Sequence, residues 1–280
     1  MTTGHVRASS EWLTLREPAD AAARAHDLVE EARPYLPSDG VVVVHDLGCG
    51  TGSMARWLAG RLNGRQHWVM LDRDAELLAL VGANPPGEAY DGAPVTFETR
   101  RRDITRLDAR DLAGSALITA SALLDMLTAD EVERLVATCV RVGCPALIAL
   151  SVTGRVDLTP ADAFDQCVTD AFNAHQRRTF GARSLLGPDA VDAVVDGFTR
   201  LGVDVLVRPS PWRLGPGQAA LAARWFTGWL AAACEQRPEL GAVALPYARR
   251  RLAEAAAGQL SVTVHHQDLL ARPRLLGGPR

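Results

Sequence analysis

The sequence predicts an α/β fold built on a doubly wound parallel sheet, and three observations support that prediction. Strand patterns alternate with helical patterns five times in succession along the chain. A glycine-rich turn follows the first strand, and an acidic residue stands at or just beyond the end of each of the first three strands. This alternation is typical of parallel strands joined by helical crossovers. The 280 residues, 48% of them hydrophobic, are ample for the core of one large domain.

The strands are predicted from short runs of apolar, mainly β-branched residues. Residues 41–44 are four consecutive valines, which is the pattern of a strand buried on both faces of a parallel sheet. Six further runs follow, two of them in the C-terminal third of the chain. The predicted strands cover residues 41–44, 66–71, 95–99, 116–120, 145–152, 203–208 and 260–265.

Helical periodicity fills the segments between these strands. Pro18 suits the first turn of an N-terminal helix, and Thr128 can cap the helix that follows the fourth strand. No strand pattern occurs in residues 153–186, and the tail beyond Arg272 is expected to fray. The predicted helices cover residues 10–37, 53–59, 74–81, 129–142, 161–178, 188–201, 218–236 and 246–256.

These patterns divide the chain into an N-terminal helical segment, residues 1–40, and a ligand-binding domain, residues 41–280. Within that domain, residues 153–202 interrupt the regular rhythm just after the fifth strand. Ligands of doubly wound sheets bind at the carboxyl edge where that strand ends. We therefore expect residues 153–202 to form a helical insertion that acts as a lid on the substrate side. The alternative is a helix that only covers a sheet edge, with its polar side in solvent.

Composition excludes several classes of function. The net charge of -3 gives no basic face, so nucleic acid is not an expected partner and a small molecule is. All 30 Lys+Arg residues are arginine. A Walker A lysine, a pyridoxal Schiff base and the Tyr/Lys pair of short-chain dehydrogenases are therefore excluded.

The five cysteines and the apolar runs bear on location. The number of cysteines is odd, and no two of them have C-x-x-C spacing. The N-terminus does not resemble a signal peptide. We therefore expect a reduced, cytoplasmic protein. No uncharged apolar run approaches the ~18 residues of a membrane helix, so no membrane partner is expected. No cluster of His, Cys, Asp or Glu has ligand spacing, so no metal is expected either.

The strongest motif is Gly48-Cys49-Gly50-Thr51-Gly52, between the first strand and a helix. Glycines there permit positive φ and let the backbone approach a ligand closely. The spacing is G-x-G-x-G rather than the G-x-G-x-x-G that seats a pyrophosphate. It favours a nucleoside bearing an amino acid over a dinucleotide. The alternative is a glycine turn that binds nothing.

Two acids extend this site. Asp72 ends the second strand, about 20 residues beyond the glycine loop. A carboxylate at that position can accept hydrogen bonds from both ribose hydroxyls, and Arg73 would border the ribose or the adenine. Asp103 follows the third strand and could accept from the adenine amino group, while Ile104 supplies a main-chain N–H. The alternatives are a solvated strand-end acid for Asp72 and a surface ion pair for Asp103.

These segments resemble the ordered motifs of class I S-adenosylmethionine-dependent methyltransferases. The resemblance covers about residues 41–152 and implies a Rossmann-like, seven-stranded sheet of order 3-2-1-4-5-7-6 with the last strand antiparallel. It also implies S-adenosylmethionine as cofactor and S-adenosylhomocysteine as product. The residues implied at the cofactor are Asp46, Gly48, Cys49, Gly50, Asp72, Arg73, Asp103, Ile104 and Ser121, with Gly48 and Gly50 at the methionine moiety and Ser121 beside both cofactor and substrate. Two helices, rather than a short turn, separate the last two strands, which suggests an elaborated substrate side.

Weaker candidates lie outside these motifs. Arg16 could reach the cofactor carboxylate, or could be an ordinary exposed arginine. His175 is the general-base candidate because imidazole titrates near neutrality, and the alternative is a solvated histidine on a polar helix face. Arg178 would face the acceptor. Asp125 would orient an acceptor hydroxyl or amine, or else cap a helix. Trp212 would wall the pocket, or belong to the core.

The expected activity is methyl transfer from S-adenosylmethionine to an O, N or C nucleophile of a small molecule. The same site could instead transfer the aminocarboxypropyl arm, or the fold could be a binding module without turnover. The acceptor, the atom methylated and the oligomeric state stay open at this stage.

Overall fold

The computed structural model of the protein describes residues 8–273, which contain ten strands and nine α-helices. The strands are β1 (Val41–Leu47), β2 (Arg65–Asp72), β3 (Val95–Arg101), β4 (Leu117–Ser121), β5 (Ala146–Thr159), β6 (Thr179–Phe180), β7 (Arg183–Ser184), β8 (Asp204–Pro209), β9 (Trp212–Leu214) and β10 (Ser261–Arg272).

The helices cover both faces of the main sheet and also pack beside the C-terminal strands β9 and β10. They are α1 (Ser10–Ala23), α2 (Asp27–Ala32), α3 (Ser53–Ala59), α4 (Ala75–Ala83), α5 (Ala129–Val142), α6 (Asp165–Gln176), α7 (Ala190–Arg200), α8 (Ala219–Gln236) and α9 (Gly241–Ala256). Thr128 caps α5 as expected and forms a capping box with Glu131. Within residues 8–273, no helix combines the length and the apolarity that crossing a bilayer requires.

The main sheet has the predicted order. Its path is β3-β2-β1-β4-β5-β10-β8, in which β1 to β5 run parallel and β10 is antiparallel to both neighbours, β5 and β8. Counting only the predicted strands, this is the order 3-2-1-4-5-7-6. An eighth strand, β9, pairs with β10 and was not predicted, because three residues are too few to show a period.

The two faces of the sheet bury separate hydrophobic clusters. Leu117 and Leu147 belong to one cluster, whereas their neighbours Ile118 and Ile148 belong to the other. Adjacent strand residues point to opposite faces, so a continuous apolar run is needed when both faces are covered. The parallel pairing of β1 to β4 places their carboxyl ends at one edge of the sheet.

Several predicted boundaries are wrong. The helix expected over residues 10–37 is divided between α1 and α2, and Pro18 lies inside α1 rather than in its first turn. β5 continues to Thr159 and β10 to Arg272, because the two strands pair along nearly their whole length. Residues 153–159 therefore belong to the sheet and not to a helical insertion. The expected fraying concerns mainly residues 274–280, which lie outside the described residues.

A third hydrophobic cluster elaborates the C-terminal side. It joins α6, α8 and α9 to β9 and β10, with Phe226, Trp229 and Tyr247 almost wholly buried. This cluster fixes α6 against α8 and so determines which face of α6 is covered.

Candidate functional site

The glycine loop that follows β1 depends on left-handed backbone. Gly48 and Gly50 have φ values of +64° and +55°. A Cβ at Gly48 would come within 3.0 Å of Leu123 Cδ1, and one at Gly50 within 3.2 Å of Leu13 Cδ1. The loop is therefore enclosed by side chains from α1 and from the segment after β4, and it has no room for a larger residue.

Asp72, at the end of β2, holds this loop in place. Its Oδ2 accepts a hydrogen bond from the Gly50 N–H at 2.9 Å, and its Oδ1 accepts one from the Asp74 N–H at 2.9 Å. An ionised carboxylate has about four lone-pair positions, so two remain for a ligand. The orientation of Asp72 is thus fixed before anything binds.

One cavity of about 1110 Å³ opens at the carboxyl ends of β1 to β4. All ten residues predicted to bind the cofactor line it. Nine of them lie at or just beyond the carboxyl ends of β1 to β4, because successive parallel strands end at the same edge of the sheet, and Arg16 lies on α1. The ten residues are Arg16, Asp46, Gly48, Cys49, Gly50, Asp72, Arg73, Asp103, Ile104 and Ser121.

Asp46 lies at the floor of this cavity. Thr119 donates a hydrogen bond to its Oδ1 at 2.7 Å, whereas its buried Oδ2 has no partner among the described residues. Burial raises the pKa of Asp46 from its ordinary value to about 7. Beside it, burial also raises the pKa of the Cys49 thiol, so Cys49 contributes a neutral wall.

Asp103 is more exposed and is ordered by its own turn. It caps the short 3-10 helix that begins at Ile104, accepting from the Thr105 N–H at 3.1 Å and from the Thr105 hydroxyl at 2.8 Å. Partial burial alone would raise its pKa, but the Thr105 hydrogen bonds and nearby arginines lower it overall. Asp103 therefore presents an ionised carboxylate at this end of the cavity.

Arg24 is a site residue that sequence reasoning missed. It is only 2% exposed, and its Nη2 donates to Ser53 Oγ at 3.2 Å and to Ser121 Oγ at 3.1 Å. It thereby links the end of α1 to α3 and β4 behind the cavity. An arginine among alanines in a helical pattern carries no local signal of such burial, which only tertiary packing creates.

The helix α1 forms one wall of the cavity. Arg16 donates from Nε to Asp20 Oδ2 at 2.9 Å, and its guanidinium carbon lies 4.9 Å from the centroid of the Trp212 ring. Trp12 and Asp20 also line the cavity. Arg16 is therefore a partly buried cavity residue rather than an ordinary exposed arginine.

A second group of residues lines the cavity beyond β4. Asp125 is part-buried there, 3.4 Å from the side-chain amide of Gln176, and burial raises its pKa to about 6. Arg178 donates from Nη1 to the main-chain oxygen of His175 at 2.8 Å, and its guanidinium carbon lies 4.6 Å from the Phe180 ring centroid. The cavity thus extends from the glycine loop to a second set of polar side chains, those of Asp125 and Arg178.

Two predicted site residues do not line this cavity. His175 is 9% exposed and lies on α6 where that helix packs against α8, with Nε2 3.3 Å from a Glu235 oxygen. Burial, followed by the nearby charge of Arg178, lowers its pKa. Trp212 is 3% exposed and donates from Nε1 to Asp20 at 3.0 Å, behind the cavity wall. The structure therefore supports the core reading of Trp212 and does not bring His175 to the acceptor.

The segment that reaches the cavity after β5 is also different from the one predicted. Residues 153–186 are not free of strands, because β6 and β7 form a short hairpin. Arg178, Phe180, Gly181 and Arg183 of this hairpin region line the cavity, whereas no residue of α6 does. The side chains that line the cavity after β5 therefore come from the hairpin region and not from the helix.

The adjacent histidines of β10 face opposite ways, as strand geometry requires. His265 Nε2 lies 2.7 Å from Asp157 Oδ2, whereas His266 is 5% exposed and packs against the Trp212 ring. Within residues 8–273, no group of three or more His, Cys, Asp or Glu is arranged to hold a metal ion.

The residues at the glycine-loop end of the cavity fit a nucleoside that bears an amino acid. The glycine loop provides a cradle that a Cβ would fill, and Asp46 Oδ2 is a buried acceptor without a protein donor. Asp72 and Asp103 add two fixed carboxylates on successive strands. A ligand with hydroxyl, amino and ammonium donors would satisfy all three acids.

The fold and this site together define the class I, Rossmann-like methyltransferase architecture. Residues 44–145 match the family model described as "Methyltransferase domain". The segment that carries the glycine loop, Asp72 and Asp103 is therefore similar to a methyltransferase domain, which implies S-adenosylmethionine as the cofactor. A comparison with curated proteins finds no match.

Solved structures resemble the chain at low sequence identity. The cyclopropane synthase MmaA2 from Mycobacterium tuberculosis is 15% identical, with a TM-score of 0.48 over 94% of each chain. Geranyl diphosphate C-methyltransferase from Streptomyces coelicolor A3(2) is 12% identical, with a TM-score of 0.48 over 97% of this chain and 88% of that one.

Proposed function

We propose that the protein transfers a methyl group to an O, N or C nucleophile of a small molecule that binds in the second part of the cavity. The observation that carries this proposal is the extent of the cavity, about 1110 Å³ from the glycine loop to Asp125 and Arg178. Single ligand pockets commonly measure ~300–1,000 Å³, so this volume suits a cofactor together with an acceptor. A small molecule fits the absence of a strong basic charge, since the net charge is -3.

The division of the cavity suggests how its residues share the work. Asp72, Asp103 and the glycine loop would hold the nucleoside, and Asp46 would face the amino acid portion. When bound, S-adenosylmethionine would supply an electrophilic methyl group, to which the acceptor nucleophile bonds as the methyl–sulfur bond breaks and S-adenosylhomocysteine leaves. Aligning the two reactants can contribute on the order of 7–11 kcal/mol, so the main task of the protein is orientation.

Asp125 is the proton acceptor that we propose in place of His175. It lines the cavity, and its pKa of about 6 leaves it mostly ionised at neutral pH yet basic enough to take a proton. A base is required only where the acceptor is a protonated or weakly acidic nucleophile. Asp125→Asn would then lower turnover while S-adenosylhomocysteine affinity is retained.

The helix α1 and the hairpin at residues 178–185 are the cover that we propose for bound ligands. Both contribute side chains to the cavity wall, and excluding water favours displacement chemistry. Hydrogen exchange with and without S-adenosylhomocysteine tests this role. Protection should increase in residues 178–185, and equal exchange in both states would contradict it.

Product analysis tests the proposed activity. The purified protein is incubated with S-adenosylmethionine and a panel of small hydroxy, amino and carboxylic compounds, with and without EDTA. A gain of one CH₂ unit supports methyl transfer, and turnover should persist in EDTA because no metal is expected. Gain of an aminocarboxypropyl group would replace this proposal with the alternative transfer, and cofactor binding without any product across the panel would contradict it. A cytoplasmic location remains a prediction.

A further inference from the structure

We propose that the acceptor is an organic oxyanion, a carboxylate or phosphate on an apolar body, and that Arg178 and Arg16 bind its anionic group beside Asp125. This inference rests on the proposed function and specifies its substrate class. It is carried by two guanidinium groups that line one cavity with unused donors.

His175 fixes one terminal nitrogen of the Arg178 guanidinium, and most of the guanidinium N–H donors have no hydrogen-bond partner among the described residues. Its Nη1 is occupied by the main-chain oxygen and Nδ1 of His175, at 2.8 and 3.2 Å, and one face lies over the Phe180 ring. Its Nε and Nη2 have no hydrogen-bond partner among residues 8–273, and no described carboxylate forms an ion pair with it. A guanidinium presents five N–H donors in a planar fork that matches carboxylate and phosphate oxygens.

Arg16, on α1, offers a second set of donors to the same cavity. Its Nε is engaged by Asp20, which it meets at 2.9 and 3.2 Å, and its side chain is 14% exposed. Its two terminal nitrogens have no partner in the described part of the chain. Trp12 and Trp212 lie beside the guanidinium, 5.9 and 4.9 Å from its carbon to the ring centroids, and restrict its rotation.

Arg178 forms no ion pair among the described residues, although burial lowers its pKa and the nearby charges of Glu235 and Asp125 oppose that effect. Arg183, on the same wall, is neutralised by Glu131 through contacts at 2.7 and 3.0 Å. Asp125 is near enough to both Arg16 and Arg178 for their charges to lower its pKa, although burial raises it overall. A cation in a partly closed cavity is costly without a counter-ion, and an acceptor oxyanion would provide one.

The remaining wall at this end is apolar. Met126, Leu127, Phe180 and Leu185 line it. An acceptor that fits both features has a hydrophobic body and one anionic group. The anion would be fixed by charge-assisted hydrogen bonds, which are stronger and more directional than neutral ones.

Matched probes test this inference without knowledge of the natural acceptor. Calorimetry on the protein saturated with S-adenosylhomocysteine compares 4-phenylbutanoate, 4-phenylbutyl phosphate and 4-phenylbutanamide, which share one apolar body. At least one anion should bind about tenfold more tightly than the amide, in line with a hydrogen bond to a charged group. Which anion binds better identifies carboxylate or phosphate as the group recognised.

Variants assign the effect to the two arginines. Arg178→Gln and Arg16→Gln should each reduce the preference for the anion, Arg178→Lys should retain part of it, and Asp125→Asn should bind the anion at least as tightly as the wild type. Arg177→Gln is the matched control, since Arg177 is adjacent in sequence but outside the cavity and paired with Asp189. Its preference should equal that of the wild type.

The contrary outcomes are distinct. Equal affinity for anion and amide, no binding of any of the three probes, or an anion preference that persists in Arg178→Gln overturns the inference. Retained S-adenosylhomocysteine affinity in the Arg178 and Asp125 variants shows that the fold and the cofactor site are intact. A loss of S-adenosylhomocysteine affinity in Arg16→Gln would assign Arg16 to the cofactor and overturn its role at the acceptor. Failure of the wild type to bind S-adenosylhomocysteine would instead overturn the proposed function.

Discussion

Asp72 accepts the main-chain N–H of Gly50 at 2.9 Å, so the acid at the end of β2 directly orders the glycine loop after β1. Two features that are 22 residues apart in sequence are thus one structural unit. The carboxylate both positions the loop and retains lone pairs for a ligand. Its removal should therefore affect cofactor binding in two ways.

Asp72→Ala should weaken S-adenosylhomocysteine binding by about 1.5–3 kcal/mol, the usual loss for hydrogen bonds to a charged group. Calorimetric dissociation constants measure this change. Asp91→Ala is the control, because Asp91 also accepts two main-chain N–H groups, from Gly64 and Ala93, but lies away from the cavity. Undiminished affinity in Asp72→Ala would refute the ribose assignment.

Gly48→Ala should reduce cofactor affinity more than backbone strain alone explains. Its Cβ would meet Leu123 Cδ1 at 3.0 Å, so Leu123 must shift within the cavity wall. Gly114→Ala is the matched control, since Gly114 has φ +81° with nothing within 4 Å. Both variants should lose about 1–2 kcal/mol of stability from the left-handed backbone, but only Gly48→Ala should lose cofactor affinity. Equal affinities in thermal-shift titrations would show that the loop does not contact the cofactor.

The ligand-free protein should lose stability as the pH rises from about 4 to about 7, in part because of Asp46. The pKa of Asp46 is about 7 in the folded protein, against an ordinary value of 3.8, so between these pH values the folded state binds more protons than the unfolded state. The unfolding free energy then falls with pH, and the loss is complete above pH ~7.

Asp46→Asn removes this contribution. Chemical denaturation at pH ~5 and pH ~8 should give a smaller difference for Asp46→Asn than for the wild type. Asp39→Asn, at an exposed acid in the turn before β1, should match the wild type. If the two variants have the same pH dependence, Asp46 titrates near its ordinary value in the folded protein.

Arg24→Met should destabilise the protein by about 3 kcal/mol or more, because it removes the buried charge that lies among Asp20, Asp46 and Asp268. Urea denaturation measures the difference in unfolding free energy. Arg155→Met tests the expected contrast, since Arg155 forms an exposed ion pair with Asp157 that is worth at most about 1 kcal/mol. If Arg24→Met loses less unfolding free energy than Arg155→Met, Arg24 is dispensable for the packing of α1.

The ten residues that the sequence predicts at the cofactor all line the cavity, and so do Asp125 and Arg178, whereas His175 and Trp212 do not. Asp46, Asp72 and Asp103 stand at or just beyond the ends of successive strands, and parallel strands present those ends at one edge, so local pattern and topology suffice. His175 and Trp212 were judged by residue chemistry alone. The position of His175 depends on which face of α6 packs against α8, and the position of Trp212 depends on how α1 packs against β9. Neither packing arrangement produces a periodic pattern in the sequence.

Short-range periodicity and chain connectivity therefore suffice for the parallel α/β core, the glycine loop and the acids that follow the first three strands, whereas the order of the sheet is implied by the resemblance to class I methyltransferases. The burial of Arg24, the approach of the hairpin rather than α6 to the cavity, and the joint lining by Arg16 and Arg178 follow only from tertiary packing. These relations join residues up to 162 positions apart in the numbering, between Arg16 and Arg178. They arise from the packing of helices on a finished sheet, which no local segment of the chain encodes.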